Sequence, residues 1–131
     1  MESKDMWRRI MAAVEPLPAY QGALVAYALT SSAAEMGAIL PSGESPAEAI
    51  KSLGSAALEQ SSTVIAMQTF QSAGLGFGAE EAAKLKEADA NTIVIRDCLL
   101  MLLRGWAGLA DWSEVMAHVE RFAPGALVPT G

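Results

Sequence analysis

Residues 91–109 constrain the fold more than any other part of this 131-residue chain. After Asn91, which can cap a helix, come Ile93, Val94, Ile95, Cys98, Leu99, Leu100, Met101, Leu102, Leu103 and Trp106. Wound at 3.6 residues per turn they leave only a narrow polar strip. Such a helix has almost no face to offer water, so other helices must surround it. The sequence therefore predicts an all-α fold, a single helical bundle with this segment as its central apolar helix.

Punctuation divides the rest into five or six helices. Ser3, Lys4 and Asp5 lead into Met6, Trp7, Ile10, Met11 and Val14 at three-and-four spacing, stopped by Pro16 and Pro18. Residues 19–40 are built largely of alanine and leucine, as one helix or as two broken at Thr30, Ser31 and Ser32, where Ser32 and Glu35 have capping-box spacing. Pro41, Ser42 and Gly43 form a loop, and Ser45, Pro46 and Glu48 make the best helix start in the chain. From there Ile50, Leu53, Ala57, Val64 and Met67 keep a period near 3.5, carrying a long helix to about Ser72.

A glycine-rich connection, residues 74–78, precedes a charged helix over 79–88 whose Glu80, Glu81, Lys84, Lys86 and Glu87 read as a solvated face. Asp111 and Glu114 have capping-box spacing for a last helix ending near Phe122. The expected helical domain is 1–122, followed by an extended or disordered tail over 123–131. The competing architecture is a small α/β domain with strands at 24–29, 63–67 and 92–96, two of which carry β-branched runs.

Charge narrows the function classes. Fifteen acidic against nine basic residues give a net charge of −6, which repels nucleic acid and anionic membrane, and no helix has the basic stripe of a DNA reader. Residues 22–40 hold the longest membrane candidate, but Thr30, Ser31, Ser32 and Glu35 make it too polar to span. The first eleven residues mix both charges and lack the apolar segment of a secretory signal, so the expected location is cytoplasmic. Between Ile10 and Ala79 there are six charges in seventy residues, while 52% of the chain is hydrophobic. A surface so poorly charged invites a partner.

Chemistry-bearing motifs are few. Cys98 and His118 are single, so neither a cysteine-rich zinc site nor a multi-histidine centre can be assembled in one chain, and no metal or cofactor is expected. Cys98 lies in the most apolar helix and reads as a structural cysteine; His118 reads as a surface residue near Arg121. Glu35, alone among small residues, reads as the cap partner of Ser32. Gly74, Gly76 and Ala79 fit a G-x-G-x-x-A dinucleotide fingerprint, with Asp97 as the ribose-binding acid, if residues 63–70 form a strand. Residues 71–73 separate that strand from the turn, which favours an interhelical loop.

The expected function is a non-enzymatic protein-interaction or assembly module acting through an apolar helical surface, as a homo-oligomer or on a protein partner. Trp7, Tyr20, Leu24, Val25 and Tyr27 are the candidate interface residues, with Ala23, Ala26, Ala34 and Ala38 allowing close helix approach next to the long helix after Ser45. The alternative is a small ligand- or nucleotide-binding domain using the 74–78 loop.

Overall fold

The computed structural model describes residues 3–36, 47–106 and 108–122, without the side chains of a few among them, Trp7 included. Five helices follow one another: α1 (Ser3–Val14), α2 (Ala19–Glu35), α3 (Ala47–Ala73), α4 (Ala79–Trp106) and α5 (Trp112–Phe122). No strand occurs among the described residues, so the all-α bundle stands and the α/β alternative does not. The β-branched runs at 63–67 and 92–96 lie inside α3 and α4, where burial outweighs their local preference. The proposed start at Ser45 and Pro46, the loop at Pro41 and the tail over 123–131 lie outside the described residues.

Helices α2, α3 and α4 form the body. Ser61 donates its hydroxyl to the Tyr20 carbonyl at 3.2 Å, while Ala34 and Ile50 line one recess at the other end, so α2 runs antiparallel to α3. Asn91 donates its side-chain amide to Gln60 at 3.2 Å, which fixes α4 antiparallel to α3. Helix α4 touches every other helix and lays Ile95, Cys98, Leu99 and Leu102 against Ala23 and Ala26, Ile50, Leu53 and Ala57, and Val115 and Val119. Helix α5 packs on α4 alone, with Trp106 and Trp112 meeting edge to face at 6.1 Å.

Small residues set the spacing. At Gly22 a Cβ would come within 2.9 Å of Arg96 Cδ, and at Gly54 it would collide with the Tyr27 ring. The close approach that Ala23 and Ala26 permit is thus made within the chain, since both are fully buried. Two buried hydroxyls close on their own helices: Thr30 donates to the carbonyls of Ala26 and Tyr27 at 3.0 Å, and Thr92 to that of Asp89 at 2.7 Å.

Two helix boundaries differ from the sequence reading. The charged segment 79–88 and the apolar segment after Asn91 are one helix of 28 residues, and Asn91 caps nothing; its side chain bridges to α3 instead. Helix α2 also runs unbroken, because Ser32 turns its hydroxyl back to the Ala28 carbonyl at 3.0 Å rather than capping a new helix with Glu35.

Candidate interaction surface

The unequal lengths of the helices create the surface. With 17 residues α2 is about 25 Å long, whereas α3 and α4, at 27 and 28 residues, reach about 40 Å. Since α2 begins at the level of Ser61, the last three turns of α3 and the first three of α4 project beyond it as a two-helix arm. Burial follows this outline: Val64 is the last fully buried residue of α3 and Ala88 the first buried one of α4.

Glycine and glutamate build the tip of the arm. Gly74 takes φ +69°, its N–H bonds the Gln71 carbonyl at 3.2 Å, and the Leu75 N–H bonds that of Phe70 at 3.0 Å, the paired bonds of a Schellman C-cap. Helix α4 then starts with the Gly78 N–H donating to the Glu81 carboxylate at 3.0 Å. The backbone N–H of Glu81 itself first and that of Gly78 second, with Lys84 adding a smaller share, hold the Glu81 carboxyl below its usual range.

The outer face of α3 is exposed, apolar and uncharged at once. Residues 60–79 contain no charged side chain, yet Ile65, Phe70 and Leu75 within them are 47%, 44% and 62% exposed, and Leu58, just before them, is 54% exposed. An exposed helix face ordinarily carries charges. The hydroxyls on this helix also turn inward: Ser62 donates to Leu58, Thr63 to Glu59 and Thr69 to Ile65, at 2.7, 3.1 and 2.7 Å. With their one donor hydrogen used by the helix, these side chains present mainly carbon to the outside.

The five interface residues expected from sequence differ in exposure. Leu24 and Tyr27 are half-buried against the core, Tyr20 is half-buried with its carbonyl held by Ser61, and Val25 alone is exposed, at 37%. The side chain of Trp7 and the whole of Ala38 lie outside the described residues. What the sequence reading missed is the stripe through Leu58 and Ile65, which its seven-residue spacing and the absence of charge from 60 to 79 both signal.

No protein family, curated protein or solved structure matches the chain.

The remaining chemical groups do not converge on a reactive site. Cys98 is fully buried; desolvation first, and the nearby Asp97 second, push its thiol up to about 11, far from a nucleophilic thiolate. His118 is half-buried rather than on an exposed edge, facing a recess of about 240 Å³ with Asp97, Leu100, Met101 and Arg104. Asp97 itself is held by Arg96 at 3.0 Å. Among the described residues no three His, Cys, Asp or Glu side chains are placed to hold a metal ion, and no helix is long and apolar enough to cross a membrane. The 74–78 loop joins two helices, so the strand that must precede a dinucleotide-binding turn is replaced by α3.

Proposed function

We propose that this chain is a non-enzymatic interaction or assembly module of the cytoplasm, and that the outer face of α3 is the surface through which it acts. One observation carries the proposal: Leu58, Ile65 and Phe70 stand exposed on a helix whose second half has no charge to keep it in water. Leu58 and Ile65 at about half exposure, with the small residues along the same stripe, present roughly 400 Å², within the range of the largest, often functional, patch on a monomer.

The test is a photo-crosslinking pair in the producing cell. A benzophenone amino acid replacing Ile65 should give protein adducts, whereas one replacing Lys86, exposed on the charged side of α4, should give few. Equal yields from both positions would count against an interface on α3.

A further inference from the structure

Resting on that reading, we infer that the occupant of the α3 face is a second copy of this chain, laid antiparallel along the arm about a two-fold axis near Ile65. The residues that carry the idea are Leu58, Ser62, Ile65, Thr69 and Ser72, all exposed and spaced four, three, four and three along α3. This is the spacing of a helix-pairing seam, and it runs about 110° round α3 from the core stripe of Ile50, Leu53, Ala57 and Val64, continuing along the arm the flank that Gly54 and Ser61 give to α2 in the body. The chain thus carries two seams on one helix: one is filled by α2 and α4, and the other stands exposed among the described residues.

Three features select a second copy over an unrelated partner. The first is charge. A face with no charge between residues 60 and 79 has no electrostatic means of choosing a different protein, but it is complementary to itself. The second is shape. In an antiparallel pair centred on Ile65, Leu58 of one copy lies opposite Ser72 of the other, and Ser62 lies near Thr69, so large meets small at the ends and the thin layers allow close approach. The third is area. Leu58 and Ile65 at about half exposure, with the three small residues between and beyond them, give each arm roughly 400 Å² and the pair roughly 800 Å², a small interface of the kind that dissociates on dilution. That total is reached only if the partner follows the whole arm, which a second arm does.

The tip sets the direction. Glu80 and Glu81 open α4 beside it, and a parallel pair would bring both sets of carboxylates together in a chain already at −6. An antiparallel pair puts them at opposite ends. The dimer so formed is a four-helix bundle of two arms, with the two bodies at its ends.

Light scattering after size exclusion, over a hundredfold dilution, tests the inference with three proteins: wild type, Ile65→Lys and Val25→Lys. Wild type and Val25→Lys should elute as dimers that dissociate on dilution. Ile65→Lys should be monomeric at every concentration with unchanged circular dichroism, and should match the wild-type melting temperature at the dilution where wild type is itself monomeric, because the side chain is already half exposed. A dimer that survives Ile65→Lys but yields to Val25→Lys would move the interface to α2 and overturn the arm pairing, though not the assembly role. Monomeric wild type throughout would overturn the second copy as occupant, while the Ile65 crosslink to a different protein would still uphold the α3 surface.

Discussion

Replacing Gly54 by alanine should destabilise this protein, although the same change in an ordinary helix interior stabilises it. Gly54 sits well inside α3, where alanine normally gains about 1 kcal/mol over glycine. Here the new Cβ would collide with Cδ1, Cε1 and Cζ of the Tyr27 ring, which packs against α3 at this glycine. The ring must swing away from a half-buried position against the core, an overpacking penalty of about 3 kcal/mol. The net loss is then about 2 kcal/mol, and at about 3 to 4 °C per kcal/mol for a chain of this length the melting temperature falls by about 7 °C. Thermal and urea unfolding of Gly54→Ala, Tyr27→Ala and the double variant separate the terms. Once the ring is gone, Gly54→Ala should stabilise by about 1 kcal/mol, giving a coupling of about 3 kcal/mol between the two positions. A Gly54→Ala protein that melts at or above wild type in the presence of Tyr27 would refute the packing of α2 on α3 described above.

Other perturbations probe different parts of the fold. Leu99→Ala, at a fully buried position of α4, should cost about 2 to 5 kcal/mol by cavity formation, read by urea unfolding; a loss under 1 kcal/mol would mean that α4 is not at the centre. Cys98 should resist iodoacetamide at pH 8 until the protein is unfolded. Because its folded pKa is raised from 9.0 to about 11, the stability it contributes is complete below pH 9 and is lost as pH rises from 9 to 11, a decline on the order of 2 kcal/mol that Cys98→Ala should abolish. Glu81 has the opposite sign: its carboxyl is held below 4.5, so its cap contributes above that pH and fades as pH falls through its lowered pKa, which carboxyl NMR titration of wild type and Gln variants would follow.

Much of this architecture was legible because burial leaves a periodic record. Ile50, Leu53, Ala57 and Val64 announced the inner face of α3, and the apolar run after Asn91 announced a helix that others must surround; all four of the former, with Ile95, Leu99 and Leu102, are buried. The break at Asn91 was misread because the composition changes sharply there. The change marks where α4 leaves the solvent around the arm and enters the bundle, not where a helix ends. Ser32 misled for a related reason: a hydroxyl that can cap a new helix can equally bond the carbonyl four residues back, and the neighbouring α3 and α4 keep α2 continuous.

The surface was legible in part. Sparse charge from residue 10 to 79 pointed to an underused apolar face, and the long helix after Ser45 was among its expected members. The sequence alone placed most of the candidate residues on α2, since it took 79–88 as a separate, solvated helix. As the first turns of a 28-residue α4 it is only the arm's end of a helix whose other half covers α2 and α3 together. That leaves Val25 as the one exposed member of the α2 group, and shifts the unfilled surface to Leu58, Ile65 and Phe70.

Disulfide trapping between copies tests the arm pairing most directly. In a Cys98→Ala background, a single cysteine forms an intermolecular bridge only where two Cα atoms come within about 7 Å. Ile65→Cys, on the two-fold axis, should oxidise to a covalent dimer in minutes at micromolar concentration. Ser72→Cys alone should not, because an antiparallel pair holds its two copies about 20 Å apart along the helices, but mixed with Leu58→Cys it should form the heterodimer. Trapping of Ser72→Cys with itself as readily as Ile65→Cys would mean a parallel pair, and no bridge at Ile65→Cys above the rate of an exposed control such as Lys86→Cys would contradict the paired arm altogether.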